Sequence, residues 1–214
     1  RRVSAQEYRK DNYEINVQGT VRVLEAARAA GVRRVVLASS AAVYGNEPTL
    51  PKREDMPAAP ASPYAAAKLA DEYIARVHAE LYGLETVSLR FFNVYGPRQD
   101  PSSPYSGVIS RFTDALARGE APRVFGDGLQ TRDFIFVRDV VSAIRQAATS
   151  PAVGRGEVFN VGTGRASSLL DVLRALEPLV GDMPAPVFEP PRPGDVRHSV
   201  ADISRIRECL GFEP

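Results

Sequence analysis

The apolar positions of the chain alternate between a helical period and short continuous runs. Across residues 13–32 they recur at spacings of four and three, as at Val17, Val21 and Leu24, which predicts a helix. The run RRVVLASS at 33–40 follows and is rich in β-branched residues without alternation. Such a run is typical of a strand buried on both faces of a parallel sheet.

A helix and a second strand are predicted next. Residues 46–63 contain five prolines, which indicates an irregular loop. Ser62 can cap a helix that begins at Pro63, a position where proline is favoured, and Gly83 ends this helix. Its apolar residues recur on one face, at Ile74, Val77 and Leu81. The segment ETVSLRFF at 85–92 is predicted to be another buried strand.

The alternation continues to the end of the chain. Helices are predicted over 106–120, 138–149 and 168–180, and strands over 122–126, 133–137 and 156–162. Asp139 is expected to cap the second of these helices, and Ser168 with Asp171 forms a capping-box pattern at the third. The proline-rich segment 184–193 is expected to be extended. Strand–helix alternation of this kind predicts an α/β fold with a parallel sheet.

Polar residues stand where the predicted strands end. Ser39 and Ser40 close the first strand, and Asn93 follows the second. Ligands of open parallel sheets bind beyond the carboxyl ends of the strands. Tyr64 lies in the first turn of the connecting helix and Lys68 lies one turn further on. We therefore expect Ser40, Tyr64, Lys68 and Asn93 to converge on one cleft.

The spacing of Tyr64 and Lys68 has a chemical consequence. The chain has 24 arginines and only three lysines, and one of these lies four residues after Tyr64, on the same helix face. A neighbouring ammonium and the positive end of a helix both favour a phenolate, which can act as a general base. An isolated pair of this kind is also compatible with an exposed contact without function, and the serine pair with simple turn chemistry.

Composition narrows the classes of function. The 214 residues carry a net charge of +1, so neither nucleic acid nor a membrane is expected as a partner. No apolar run approaches the roughly 18–20 residues of a membrane span. Cys209 is the one cysteine, which excludes an internal disulfide and favours a cytoplasmic location. His78 and His198 lie far apart in the sequence, and no metal site is predicted.

Six motifs, taken together and in order, resemble those of a known family. They are SSAAVYG, SPYAAAKL, LRFFNVYGPRQDP, VFGDGLQTRDFIFVRDVV, FNVGTG and RPGDV. They resemble the motifs of extended short-chain dehydrogenases that act on nucleotide sugars, and those of the UDP-glucose 4-epimerases above all. The resemblance runs over essentially the whole chain. It implies a Rossmann-like parallel sheet that binds NAD, with a smaller C-terminal part that binds a sugar nucleotide.

The resemblance assigns roles to individual residues. It implies that the catalytic residues are Ser40, Tyr64 and Lys68. The residues expected to bind NAD are Ser39, Tyr64, Lys68, Phe91 and Val94. The residues expected to bind the UDP-sugar are Asn93, Val108, Phe125, Arg132, Arg192, Asp195 and Ser199. Phe125 and Arg132 have a second interpretation, as a core aromatic residue and as a surface ion-pair partner of Asp133.

The implied activity is NAD-dependent C4 epimerisation of a UDP-hexose through a transient 4-keto intermediate. UDP-glucose and UDP-galactose are the expected substrates, and the small Ser199, at the family's sugar C2 position, extends the hypothesis to the N-acetylated pair. The 4,6-dehydratases and decarboxylases of the family usually carry carboxyl groups where this chain has Ala41 and Ala42. A non-catalytic nucleotide-binding member is the remaining alternative, although it would not need the three catalytic residues together.

The beginning of the chain departs from the family. The family begins with a strand and a glycine-rich turn, GxxGxxG, which binds the NAD pyrophosphate at a helix N-terminus. This sequence has no such turn near residue 1, so the N-terminal strands of the family are interpreted as absent from it. The segment GTGRAS at 162–167 lacks the third glycine and is interpreted as a strand-to-helix turn.

Two expectations concern organisation. The NAD-binding part is expected to span 1–97, with a helix and a strand from 134–162, and the sugar-nucleotide-binding part to comprise most of 98–214. By resemblance, the helices at 7–30 and 63–82 are expected to form a four-helix homodimer interface.

Overall fold

Strands and helices alternate along the computed structural model, which describes residues 12–103, 106–192 and 196–214. The helices are α1 (Gly19–Ala29), α2 (Pro63–Tyr82), α3 (Val108–Ala117), α4 (Val137–Thr149), α5 (Leu169–Val180) and α6 (Ser204–Leu210). The strands are β1 (Arg34–Ser40), β2 (Glu85–Phe91), β3 (Asn93–Tyr95), β4 (Arg123–Phe125), β5 (Thr131–Arg132), β6 (Phe134–Phe136), β7 (Arg155–Val161), β8 (Ser167–Ser168) and β9 (Val187–Glu189). A π-helical stretch, Tyr13–Gln18, leads into α1, and a 3₁₀ turn, Ala41–Tyr44, follows β1.

The main sheet is parallel, with the strand order β1–β2–β7. Ser40 lies opposite Phe91, and Phe91 lies opposite Val161, so the three strands end at one level. This register brings the residues that follow each strand to one edge of the sheet. The predicted α/β class with a parallel sheet is confirmed. Among the described strands of this sheet, β1 forms one edge.

Three smaller strand pairs lie beyond the main sheet. β3 pairs with β6 and β4 pairs with β9 in parallel, whereas β5 and β8 are antiparallel. The pairing of β9 with β4 keeps the middle of the proline-rich segment extended, as predicted.

Helix α2 begins and ends as its sequence predicts. The Ser62 hydroxyl accepts a hydrogen bond of 3.2 Å from the Ala65 amide, and Pro63 occupies the first helical position. Gly83 ends the helix in the left-handed conformation, with φ at 69°. The start of α2 fixes where Tyr64 lies relative to the sheet.

Two local predictions need correction. The side of α2 that packs on the sheet carries Ala65, Ala67 and Ala75, whereas Val77 and Leu81 are exposed. Asp139 does not cap α4, because β6 runs directly into the helix with Phe136 at the cap position. Asp139 lies in the first turn instead, where a carboxylate still favours the positive helix end. The capping box of Ser168 and Asp171 at α5 is confirmed.

Two of the three clusters of buried apolar side chains contain most of the core. The larger one surrounds the main sheet and includes Leu89 and Phe159, together with Ile206 and Phe212 from the end of the chain. The smaller one joins α3, α5 and β4 through residues such as Phe112 and Val124. Burying one such side chain contributes about 1.5–3 kcal/mol. The expected division into two parts, 1–97 with 134–162 and most of 98–214, stays a prediction.

None of the helices in the described part of the chain combines the length and the apolar character needed to cross a membrane.

Candidate active site

A cleft with two adjoining cavities opens at the carboxyl ends of β1 and β2. The first cavity has a volume of about 360 Å³, and its lining includes Ser40, Phe91 and Ser199. The second, of about 220 Å³, lies toward α3 and β4. Asn93 and Arg132 line both cavities, so the two cavities form one continuous cleft.

Ser40 reaches the first cavity because β1 ends there. Its hydroxyl accepts a hydrogen bond of 3.2 Å from the Ala42 amide and so caps the 3₁₀ turn. This leaves the hydroxyl proton available for a group in the cavity. Ala41 and Ala42 line the same cavity and contribute no group that can transfer a proton.

The structure brings together only part of the predicted catalytic set. Ser40 and Asn93 share the first cavity with Ser62, whereas Tyr64 and Lys68 are not among the described residues that line it. Tyr64 lies in the first turn of α2 and is 39% exposed. Lys68 lines a separate groove along β1, and its Nζ lies 3.7 Å from Asp71 Oδ2.

The residues predicted to bind NAD have different surroundings. Ser39 is buried, and its hydroxyl donates to Glu72 rather than to the cleft. Phe91 lines the first cavity, and Val94 is partly buried against the large apolar cluster. The phenol of Tyr64 and the ammonium of Lys68 form a donor set that suits ribose hydroxyls, and so fit the nicotinamide end of the cofactor. Their roles stay predictions.

The second cavity is rich in guanidinium groups. It is lined by Arg111, Arg123, Arg132 and Arg192. The Arg192 guanidinium stacks on the Phe125 ring, with Cζ 3.7 Å from the ring centre. Arginine binds phosphate oxygens with two parallel donors, so this wall suits a diphosphate. The lining of this cavity includes Val108, Phe125 and Arg192, three of the residues predicted to bind the UDP-sugar.

Sequence reasoning missed two of these arginines. Arg111 lies one helical turn after Val108, a spacing that could have indicated it. Arg123 begins β4, two residues before Phe125, on the same side of an extended strand. In the structure Arg123 also forms an exposed ion pair with Glu189 at 3.2 Å.

Ser199 lines the first cavity, held by a backbone hydrogen bond. Its amide donates to the Thr131 carbonyl at 3.1 Å, which fixes the segment against β5. Asp195 lies outside the described residues.

A buried polar network connects the ends of all three sheet strands. Arg90 in β2 donates two hydrogen bonds to Glu72 in α2, at 2.9 and 2.8 Å. The Arg90 guanidinium lies 4.8 Å from the centre of the Tyr44 ring, and the Tyr44 hydroxyl donates to Asn160 at 2.7 Å. Burial raises the pKa of Tyr44 to about 12. This network positions β1, β2 and α2 relative to each other.

A second set of polar contacts shapes the loop that precedes α2. Lys52 is fully buried, lines the first cavity and pairs with Glu47 at 2.8 Å. Its amide donates to the Val200 carbonyl at 2.8 Å, beside Ser199. The loop therefore forms one wall of the first cavity.

Asp133 accounts for the glycine-containing turn after β7. Its carboxylate accepts hydrogen bonds from the amides of Thr163 and Gly164, at 2.7 and 2.9 Å, and from that of Ala201. These amides are therefore already occupied by an internal anion, which supports the turn interpretation of GTGRAS. Asp133 does not act as a surface ion-pair partner of Arg132, because it is completely buried.

In the described part of the chain, no group of three or more histidine, cysteine, aspartate or glutamate residues is arranged to hold a metal ion.

Known proteins resemble this chain in sequence and in fold. The model of the NAD dependent epimerase/dehydratase family matches residues 3–162. A UDP-glucose 4-epimerase of Mycolicibacterium smegmatis is 49% identical over 201 residues, which are 94% of this chain and 63% of that protein. The chain thus spans somewhat less than two thirds of the length of this relative.

Two solved structures agree with the sequence comparison. The UDP-glucose 4-epimerase of Thermotoga maritima with UDP-glucose has a TM-score of 0.92 at 38% identity, covering 99% of this chain and 67% of that one. The UDP-N-acetylglucosamine 4-epimerase of Methanobrevibacter ruminantium, in complex with UDP-N-acetylmuramic acid, has a TM-score of 0.90 at 37% identity. It covers 94% of this chain, which in turn spans 64% of that structure.

Proposed function

Because this chain belongs to the NAD dependent epimerase/dehydratase family, we propose that the protein containing it interconverts C4 epimers of a UDP-hexose. The observation that carries the proposal is the cleft: a hydroxyl at a strand end faces one cavity, and four arginines line the next. UDP-glucose and UDP-galactose are the proposed substrates. They are chemically the kind of ligand that a diphosphate site next to a small polar cavity accommodates.

The two cavities bind different parts of the proposed substrate. Arg132 and Arg192 hold the diphosphate, with Phe125 offering an aromatic face beside them. The sugar occupies the first cavity, near Ser40 and Asn93. Anchoring at the nucleotide leaves the sugar free to turn, which an inversion at C4 requires.

Side chains of this protein carry out the proton transfer, whereas the hydride transfer depends on NAD. Tyr64 lies two residues after Ser62, which lines the first cavity, and from the start of α2 it takes the C4 hydroxyl proton, while Ser40 hydrogen-bonds the same oxygen. Lys68 supports the phenolate through its charge and would hold the nicotinamide ribose of NAD. NAD, when bound, supplies the hydride acceptor and donor for C4. The sugar passes through a 4-keto intermediate, and Tyr64 returns the proton.

Elimination and decarboxylation are less well supported. Both chemistries use carboxyl groups beside the catalytic hydroxyl, and Ala41 and Ala42 line the first cavity there. A non-catalytic nucleotide-binding role would leave the hydroxyl, phenol and ammonium without a purpose.

The test is direct interconversion. NAD-loaded protein is mixed with UDP-galactose, and formation of UDP-glucose is followed. The Tyr64→Phe variant is the matched control, because it removes one hydroxyl from a partly exposed side chain and keeps the fold. Its rate should fall by at least about 10²–10⁴-fold. Absence of interconversion for every UDP-hexose, or a fully active Tyr64→Phe variant, contradicts the proposal.

Substrate range is proposed to depend on Ser199. Its small side chain lines the first cavity, where an N-acetyl group needs space that a phenol ring would occupy. The similarity to a UDP-N-acetylglucosamine 4-epimerase supports this reading. Wild-type protein should accept both plain and N-acetylated UDP-hexoses, and Ser199→Tyr should lose the N-acetylated pair alone. Equal loss of both pairs would exclude Ser199 as the gate.

A homodimer in a cytoplasmic location completes the proposal. Tyr73, Val77 and Leu81 form an exposed apolar strip on α2, which suits a four-helix interface. Leu81 is 70% exposed, so Leu81→Glu should leave the folded protomer intact. Sedimentation should show a dimer for wild type and a monomer for this variant. A wild-type protein that sediments as a monomer contradicts the interface.

The cytoplasmic location is supported by one exposed, free cysteine, Cys209.

A further inference from the structure

The wall of the first cavity contains an almost completely buried lysine. Lys52 is 1% exposed and lines this cavity together with Ser40 and Ser199. A lysine is rarely buried to this degree unless it is paired, and Lys52 is paired with Glu47. Replacing a buried ion pair by apolar side chains is often neutral or stabilising. The ion pair therefore does not by itself explain a charge at this position.

The main chain of Lys52 holds the loop in place without help from the side chain. Its amide donates to the Val200 carbonyl and its carbonyl accepts from the Asp202 amide, both at 2.8 Å. The same carbonyl accepts a hydrogen bond of 2.7 Å from the Asn160 side chain. An apolar side chain at this position would leave all three contacts intact, so the ammonium requires a different explanation.

The ammonium of Lys52 has one hydrogen-bond donor to spare. It donates to the carboxylate of Glu47 at 2.8 Å and to the main-chain carbonyl of the same residue. The hydrogen bond from Lys52 is the largest cause that lowers the pKa of Glu47 to about 2, so the pair is charged at neutral pH. An ammonium carries three N–H donors. In the described part of the chain, Glu47 alone accepts from it, which leaves the third donor for a ligand.

The first cavity provides no anion of its own for this donor. Its described lining contains neither aspartate nor glutamate, and its cations are Lys52 and Arg132. Arg132 also lines the second cavity, where the diphosphate is proposed to bind, whereas Lys52 belongs to the first cavity alone. A hydrogen bond from a charged donor is about twice as strong as one between neutral groups. A hydroxyl group of a ligand in this cavity is therefore a favourable acceptor.

We propose that Lys52 is a further substrate-binding residue, whose third N–H donates to a hydroxyl of the hexose other than the reacting one at C4. The identity of the ligand as a UDP-hexose rests on the proposed function. The main chain of Lys52 contacts the residues that follow Ser199, and its ammonium contacts Glu47, which follows the 3₁₀ turn capped by Ser40. Lys52 thus lies between two residues proposed to contact the sugar, and it contributes affinity for the sugar rather than for the nucleotide.

The first test measures binding and not turnover. Isothermal titration calorimetry compares UDP-glucose with UDP on NAD-loaded wild-type and Lys52→Met protein. Methionine keeps the length of the side chain and removes its charge. Loss of a hydrogen bond from a charged group should weaken binding of UDP-glucose by about tenfold or more, whereas binding of UDP should not change. An equal loss for both ligands, or no loss for UDP-glucose, overturns the inference.

Glu47→Gln is the matched control for an effect through the loop. The amide oxygen of glutamine can still accept from Lys52, so this variant removes the ion pair and keeps the ammonium. It should weaken binding of UDP-glucose less than Lys52→Met does. Equal losses in the two variants would show that Lys52 acts only by holding the loop.

Deoxy sugars identify the hydroxyl. The UDP derivatives of 2-deoxy-, 3-deoxy- and 6-deoxyglucose each lack one candidate acceptor. The loss of affinity caused by Lys52→Met should vanish with one of them and persist with the other two, as in a double-mutant cycle. A loss of the same size with all three excludes the contact.

A measurement on the unsubstituted side chain applies even if Lys52→Met does not fold. This chain has three lysines, so isotopic labelling of lysine at Cε gives few magnetic resonance signals from it, and the signal that disappears in Lys52→Arg belongs to Lys52. UDP-glucose should shift this signal more than UDP does. A signal that responds equally to both ligands, or to neither, overturns the inference.

The two proposals can fail separately. If the protein interconverts no UDP-hexose but Lys52→Met loses affinity for UDP-glucose alone, the proposed function fails and the contact of Lys52 stands. If interconversion occurs and Lys52→Met binds UDP-glucose as tightly as wild type, the function stands and the role of Lys52 is excluded. A purely structural Lys52 would lower the thermal unfolding temperature on substitution and would not distinguish UDP-glucose from UDP.

Discussion

The Glu72–Arg90 pair provides the sharpest prediction about stability. Both side chains are almost completely buried, and the carboxylate accepts hydrogen bonds from Arg90 at 2.9 and 2.8 Å and from the Ser39 hydroxyl. Glu72→Gln keeps the shape of the side chain but removes the charge. It leaves the Arg90 guanidinium buried without a counter-ion and turns an amide NH₂ toward groups that are themselves donors.

The expected cost is large for a single substitution. Removing one partner of a buried ion pair typically costs about 3–5 kcal/mol, because the remaining charge is uncompensated. Arg90 Nη1 already lacks a hydrogen-bond partner among the described residues, so no spare acceptor is at hand to replace Glu72. A loss of this size is a substantial fraction of the 5–15 kcal/mol typical of a domain.

A double variant separates charge from packing. Glu72→Met with Arg90→Met replaces both ions by apolar side chains of similar length, so no charge remains buried. It should be less destabilised than either single variant, even though the contact of Arg90 with the Tyr44 ring is lost. If the pair acted only through packing, the two single costs would add instead.

Urea unfolding followed by circular dichroism measures these differences. The midpoint should fall for Glu72→Gln at an unchanged slope, and Glu80→Gln on the same helix should stay within about 0.5 kcal/mol of wild type because its ion pair is exposed. A cost below about 1 kcal/mol for Glu72→Gln, or a double variant as unstable as the sum of the single ones, would refute the assignment of a positioning role to this pair.

Three further predictions follow from individual contacts. Burial raises the pKa of Tyr44 to about 12, so between about pH 10 and 12 the unfolded state loses the phenol proton before the folded state does. The free energy of unfolding should therefore fall by up to about 1.4 kcal/mol per pH unit in this range. Urea titrations of Tyr44→Phe should show a flatter dependence on pH. Under the proposed function, Lys68→Ala should lower kcat/KM, because Tyr64 loses its cationic neighbour; an unchanged kcat/KM in steady-state assays would contradict the role of Lys68. Ser62→Ala removes the N-cap of α2 and should cost about 1 kcal/mol, read as a lower thermal midpoint, whereas a neutral effect would show that the cap hydrogen bond is dispensable.

The sequence predicts local structure well wherever one residue type determines it. Ser62 and Pro63 set the start of α2, and Gly83 sets its end, because caps and left-handed glycines act within a few residues. The parallel sheet follows from continuous β-branched runs such as 33–40, which require burial on both faces. Asp139 shows the limit of such local rules: it matches a capping residue in type, but the preceding strand runs straight into the helix and leaves no turn for it to close.

The candidate site is only partly readable from the sequence. The positions of Ser40 and Asn93 follow from strand ends, which a linear pattern reveals. Arg90 and Glu72 meet across 18 residues, and Asp133 meets Ala201 across 68, so no local spacing indicates either contact. A charged residue inside a β-branched run such as ETVSLRFF looks like an interruption of the pattern, although here it is what connects the strand to α2.

Under the proposed function, one cavity binds the diphosphate and the adjoining cavity holds the reacting sugar. Asn93 and Arg132 are the residues common to both, and the remaining walls belong to one cavity or the other. A ligand that fills only the far cavity gains its arginine contacts without approaching the hydroxyl of Ser40, and a bare hexose gains none of them. Under the proposed function, UDP alone should therefore inhibit competitively, whereas unattached glucose or galactose should turn over with a much lower kcat, because binding of the remote nucleotide is what holds the reacting carbon in place.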